Sequence, residues 1–360
     1  MRYLLLFLFA CASLLLYAQP SSSGYPYIRL TDSVKCTNVK DQSQSPTCWA
    51  FGTNSLFESD ILKKTGKRLN LSEMFIARYA YIDKINKFLE TKGKTYAEGG
   101  GQFHDVLRVI ERYGMVPEDA YTGRPKGESS HNHAELDTTI KEFMYDLLQE
   151  GKTELKDDDL AQVNKILDRY LGKVPETFWY DLASYTPKTF AKEILPPTTD
   201  YVEIMSFSDL PYYKKVLLVD KFNWAGDSIY NIPLSDMQML VDTALAKGWS
   251  VGWEGDVTNT GFNSYGGFAS TDLTYKTYDN IRVLNYKNET TERDHMLHIV
   301  GIGKDEKNKK WYYLKNSWGS WLSRFKGFLY MDENYFKLNT VIVMTNKTGL
   351  PESLKQKLGL

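Results

Sequence analysis

The hydrophobic pattern of this 360-residue chain changes its period once, near residue 200, and that change limits the folds open to it. Before it, apolar residues recur at helical spacing. Residues 48–64 carry Ala50, Phe57 and Ile61, with Phe51 and Leu62 beside them. Pro46 before this run, and Lys63, Lys64 and Gly66 at its end, suit a helix start and stop. Ser72 reads as the N-cap of a second helix presenting Phe75, Ile76, Tyr79 and Ile82. The turn Gly99-Gly100-Gly101 opens a third, through Val106, Val109 and Ile110 to Gly114. Residues 131–150 and 160–171 predict two more amphipathic helices. After Tyr201, short apolar or alternating runs at 216–219, 249–253, 281–284, 298–302, 311–314 and 328–331 read as strands. One helix interrupts them, 235–247, with Ser235 and Gln238 as a capping box and Gly248 as its stop. The chain is therefore α+β: a lead-in and helical lobe (19–124), a helical insertion (125–200), a strand-rich lobe (201–345) and a tail (346–360).

Residues 1–18 predict a secretory signal. Arg2 supplies positive charge, 4–16 is almost wholly apolar, and Ala18 suits the last position before cleavage. The stretch is short for a membrane span. A lipoprotein site at Cys11 ranks second, because the apolar run continues past it. The expected location is secreted or periplasmic, with no membrane association after signal removal. A net charge of -1 gives no electrostatic basis for binding nucleic acid or an anionic surface. Signal removal leaves Cys36 and Cys48, too few for a disulfide scaffold. Cys36 reads as a small apolar filler.

Cys48 is different. It stands at the start of the 48–64 helix, with Trp49 directly after it and Gln42 six residues before it. A thiol becomes a strong nucleophile only as thiolate, and helix N-termini and neighbouring imidazolium favour that form. A nucleophilic cysteine also needs a histidine, itself oriented by a third group. Of the five histidines, His104 lies on a helix, and His131 and His133 flank Asn132 on what reads as a solvated polar loop rather than a metal site. His295 and His298 are three residues apart, so on a strand they face opposite ways and only one can meet a given cleft. Asn316, in the turn Asn316-Ser317-Trp318-Gly319 after a strand, is placed to accept an imidazole N–H, with Trp318 able to shield that bond.

In this order, Gln42 to Phe51, His295 and Asn316-Ser317-Trp318-Gly319 resemble the three signature regions of the papain-like cysteine peptidases. Within them, Gly100-Gly101-Gln102-Phe103, Tyr230-Asn231-Ile232-Pro233-Leu234 and Asn334-Tyr335-Phe336 are similar to the bleomycin hydrolase (aminopeptidase C) branch, over about 35–355. The resemblance implies a papain-like two-lobed fold. It implies Cys48 as nucleophile, His295 as base and acid, Asn316 as its orienting partner, and Gln42 as oxyanion donor beside the Cys48 N–H. Gly100 and Gly101 would pair with extended substrate, and Trp49 and Trp318 would support the site. It implies peptide substrates, no cofactor and no metal. It also implies a homo-hexamer whose C-terminal tail enters its own cleft and holds the substrate's amino group; the tail here, 346–360, is shorter than that branch's. From the residues alone, Trp253 is a candidate cleft residue with Glu254 beside it; a buried tryptophan and a solvated glutamate are the alternatives. The expected activity is aminopeptidase first and papain-like endopeptidase second. Transfer of the acyl group to an amine, and a non-catalytic peptide-binding protein, are the rivals.

Overall fold

A computed structural model describes residues 25–125, 127–321 and 323–360. The signal expected at 1–18, and Cys11 with it, lies outside the described residues. The lead-in is not idle chain: β1 (Ile28–Ser33) pairs antiparallel with a long strand of the second lobe. The helical lobe follows as α1 (Cys48–Thr65), α2 (Glu73–Glu90) and α3 (Phe103–Tyr113). Ser72 caps α2, its side chain accepting from the Phe75 N–H at 3.1 Å. From Trp49 to Leu62, α1 is buried on every face, Asn54, Glu58 and Asp60 included. A helix buried all round is central to its fold, and α1 packs against α2 and α3 on one side and the sheet on the other.

The insertion holds α4 (Ala134–Gln149), α5 (Asp157–Leu171), a hairpin of β2 (Phe178–Tyr180) and β3 (Ala183–Tyr185), and α6 (Pro187–Ile194). It lies between the lobes in sequence only. In space α4 and α5 pack on α2, and α6 on α3. Leu136, Ile140, Val163, Leu167 and Phe190 share one core with Phe57, Phe75 and Ile85.

The second lobe contains β4 (Tyr201–Met205), β5 (Lys214–Leu217), β6 (Ser228–Asn231), α7 (Leu234–Ala246), β7 (Val251–Gly255), β8 (Phe262–Asn263), β9 (Phe268–Ala269), α8 (Asp279–Lys287), β10 (His295–Asp305), β11 (Lys310–Lys315), β12 (Phe328–Asp332), α9 (Glu333–Asn339), β13 (Thr340–Asn346) and α10 (Glu352–Leu358). Its strands form one sheet in the order β5-β6-β4-β13-β7-β10-β11-β12-β9-β8. The start of β10 pairs with β7 and its end with β1. One face of the sheet shares the helical-lobe core through Met205, Met296 and Ile342. The other buries Leu297, Ile299 and Val343 with Leu240 and Val241 of α7.

Three expectations fail here for local reasons. Residues 281–284 are helical, in α8, because four residues are too few to separate a period of 2 from 3.6. The Ser235–Gln238 capping box is absent: α7 starts one residue earlier behind Pro233, which has no side-chain cap, so Ser235 is already inside the first turn. Residues 131–133 are not helical, and while Asn132 is exposed, His131 and His133 are not solvated. The helix begins at Ala134, and Asn132 forms a β-bridge with Gln44. That pairing buries His131 and His133, and burial pushes both imidazoles down to about 4.

Candidate active site

Cys48 is the first residue of α1, and its N-cap, Thr47, makes no side-chain cap bond. The thiol is half-buried and not in a disulfide, as is that of Cys36. Burial pushes the Cys48 thiol up to about 12. The backbone N–H groups of Met296 and Trp49 face the sulfur and oppose this, while the carboxylates of Glu254 and Asp294 add to it. A helix N-terminus alone therefore does not ionise this cysteine; desolvation outweighs it.

His295 opens β10 opposite Gly255 and is buried. Its Nε2 lies 2.8 Å from Asn316 Oδ1. An amide oxygen only accepts, so Nε2 carries the proton and Nδ1 is left as the basic nitrogen. Asn316 is itself fixed: its Oδ1 also accepts from the Ser317 N–H at 2.7 Å, and its own N–H donates to the Gly327 carbonyl at 3.0 Å. The Trp318 ring lies 4.4 Å from the imidazole, centroid to centroid. Burial lowers His295 to about 4, opposed by the Asn316 bond. His298 has other surroundings. Its Nδ1 is 2.8 Å from Ser55 Oγ on α1, and Lys315 lies near it. The structure thus pairs His295 with Asn316 and His298 with Ser55.

Gln42 is buried and held at both ends. Its N–H donates to the Ser317 carbonyl (2.8 Å), its Oε1 accepts from Ser317 Oγ (2.6 Å), and its Nε2 donates to the Ser45 carbonyl (3.0 Å). One amide hydrogen is committed to Ser45 and the other is not. Beneath this segment, Lys40 Nζ sits 2.8 Å from Glu73, 3.1 Å from Glu58 and 3.2 Å from Glu118. These carboxylates raise its pKa against the opposing effect of burial. The cluster ties the segment carrying Gln42 to α1 and α2. Ser317 and Lys40 are positioning residues that the sequence did not reveal. The only signal for Ser317 was its place in the Asn316-Ser317-Trp318-Gly319 turn.

Gly99-Gly100-Gly101 wraps Trp49. The indole Nε1 donates to the Gly99 carbonyl at 2.9 Å, and a Cβ on Gly101 would come within 2.7 Å of the ring. Only glycine allows that approach. Trp253, expected as a cleft residue, is fully buried and donates through Nε1 to Thr340 Oγ1 at 2.8 Å. It belongs to the sheet-lobe core, because strand alternation turns it towards α7. Glu254 is not solvated either: it is buried 3.1 Å from Arg293 Nε, and burial raises it to about 8. Beside Asn316 and Trp318 opens a hollow of about 410 Å³, lined also by Tyr265, Ser323 and Gly327. Among the described residues no group of three or more His, Cys, Asp or Glu could hold a metal ion.

Comparison with known proteins identifies the family. The model of the Peptidase C1-like family matches residues 92–359. Aminopeptidase G of Lactobacillus delbrueckii subsp. lactis is 24% identical over 369 residues, covering 89% of this chain and 83% of its own. Bleomycin hydrolase of Mus musculus is 22% identical over 375 residues, covering 88% and 81%. The crystal structure of PepW from Lactobacillus rhamnosis superimposes with a TM-score of 0.72 at 20% identity, over 92% of this chain and 84% of that one. With the fold, the order of the signature segments and the matched length in agreement, the chain belongs to the Peptidase C1-like family, as a papain-like cysteine peptidase of the bleomycin hydrolase and aminopeptidase C branch.

Proposed function

We propose that this chain is an aminopeptidase that works through a Cys48–His295–Asn316 triad and a thioester. The observation that carries the proposal is the 2.8 Å bond from His295 Nε2 to Asn316 Oδ1, which leaves Nδ1 free to take a proton, on a strand whose next residue, Met296, faces the Cys48 sulfur. At rest, burial favours a neutral thiol and a neutral imidazole. Transfer of the thiol proton to His295 creates two charges that stabilise each other. The thiolate attacks the scissile carbonyl, and the oxyanion accepts from the Cys48 N–H and the free amide hydrogen of Gln42. His295 then protonates the leaving amine. Water, deprotonated by His295, releases the acid from the thioester. The aminopeptidase assignment is supported by the names of the relatives, among them aminopeptidases G, C and W. Export by the 1–18 segment is part of the proposal, and a mature chain beginning at Gln19 is its expected sign.

The test compares a peptide with a free amino terminus and its N-acetylated form. The free amine should be cleaved and the acetylated form spared, while Cys48→Ala should lose activity by at least about a thousandfold. Equal cleavage of the two peptides would sink the aminopeptidase assignment, and an active Cys48→Ala would sink the triad.

A further inference from the structure

The segment 218–227, between β5 and β6, crosses from one lobe to the other beside the site. Its sheet-lobe anchor is Asp220. That carboxylate pairs with the Arg293 guanidinium, two residues before His295, and accepts from the Tyr286 hydroxyl of α8 at 2.8 Å. Its helical-lobe anchor is α3: Trp224 Nε1 donates to Asp105 at 3.0 Å, and Asp227 pairs with Arg108. Between the anchors, the Asp220 carboxylate accepts from the Phe222 N–H at 2.7 Å and sets the direction of that residue.

Phe222 lies over the glycine turn. A Cβ on Gly100 would come within 2.7 Å of its ring. The ring meets Tyr96 edge-on at 5.1 Å, and the Arg293 guanidinium sits 5.8 Å from its centroid. The same turn holds the residue that follows Cys48, since Trp49 Nε1 donates to the Gly99 carbonyl at 2.9 Å. The phenyl ring thus covers the glycine turn that holds Trp49, the residue directly after Cys48. The backbone of Gly100 is also engaged. Its N–H donates to the Tyr96 hydroxyl at 3.3 Å, and its carbonyl accepts from Lys84 Nζ. A peptide extended along this wall would need to displace both partners and the ring.

Building on the peptidase assignment above, we propose that 218–227 is a strap that closes the cleft on the Gly100 side, so that a peptide enters with its free amino terminus first and only one residue precedes the cleaved bond. The strap, not the C-terminal tail, sets this limit. The tail helix α10 buries Leu354 and Leu358 in the core shared with α7, and its Lys357 pairs with Asp236. It is engaged on the sheet face that carries α7, whereas the strap is joined to α3 and Arg293.

The test measures alkylation of Cys48 in the full chain by two probes, iodoacetamide and an N-benzyloxycarbonyl dipeptidyl chloromethyl ketone. In the unmodified protein iodoacetamide should react readily and the blocked dipeptide slowly. Phe222→Ala should speed the blocked dipeptide by at least about tenfold, a typical gain for relieving a pocket clash, and leave the iodoacetamide rate unchanged. Phe222→Trp should stay closed. Asp220→Asn, which loosens the anchor and keeps the bulk, should also admit the dipeptide, and it decides the matter if the alanine variant does not fold. Reactive Cys48 with an unchanged ratio of rates in both opening variants overturns the strap alone. Cys48 inert to iodoacetamide overturns the nucleophile and the strap together.

Discussion

At the scale of residues, the site is a pair of groups that burial pushes away from ionisation. Cys48 is driven up to about 12 and His295 down to about 4. Between those values each is neutral by itself, and only proton transfer between them yields thiolate. This gives a signed expectation for pH. With His295 present, iodoacetamide should label Cys48 at pH 6 to 7. In His295→Ala the thiol keeps its raised pKa and has no proton acceptor, so labelling should be negligible at neutral pH and rise only in alkali. Equal labelling of the two proteins at pH 6.5 would refute the pairing. Asn316→Ala should lower kcat by about 10- to 100-fold while leaving KM nearly unchanged, because in the proposed mechanism Asn316 acts by orienting the imidazole. A change confined to KM would contradict that role. Cys48, His295, Asn316 and Gln42 stand out in the sequence because each sits in a short local signature. Ser317 and Lys40 do not, because their partners lie hundreds or tens of residues away: Ser317 holds Gln42 across 275 positions, and Lys40 reaches Glu73 across 33.

Elements matter through the seam between α1 and β10, the helix that carries Cys48 and the strand that carries His295. Gly52 makes that seam close: a Cβ there would sit 3.0 Å from the Met296 Cβ. Gly52→Ala should therefore press β10 away from α1, costing about 1–3 kcal/mol of stability by overpacking. It should also lower kcat/KM, since His295 is the neighbour of Met296. Thermal melts and steady-state kinetics read the two effects, and a variant with native activity would show that the seam tolerates the shift. Lys40→Met should cost more, about 3–5 kcal/mol, because it removes the paired cation from the buried carboxylates of Glu58 and Glu73. Helices with a clear cap and stop, such as α2 behind Ser72, were readable in sequence. The four-residue run inside α8 was not, and β13, a β-branched run at the centre of the sheet, went unread among the stronger signals around it.

For the whole molecule, the two lobes are joined at more places than the site. The lead-in strand β1 adds to β10, the Gln42 segment bonds to Ser317, and segment 218–227 ties α3 to Arg293. The tail closes the opposite face. Leu354 is fully buried there, so Leu354→Ala should destabilise by about 2–5 kcal/mol. The ratio of free-amine to acetylated peptide cleavage should stay the same in that variant. A changed ratio with an unchanged melting temperature would show that the tail, rather than the strap, governs which peptides enter.

The sequence by itself determined the class of fold and the chemistry of the site. Period in the hydrophobic pattern sets helix against strand, and a few reactive side chains with fixed neighbours identify a thiol mechanism. Tertiary structure alone decided the rest. It paired His295, and not His298, with Asn316, because alternation along a strand cannot say which face meets which partner. It placed Trp253 and Glu254 in the interior, and His131 and His133 under a β-bridge, because burial is set by partners distant in the chain. It brought Phe222 over Gly100 for the same reason: 122 positions separate them along the chain, and only the packed fold lets their surfaces meet.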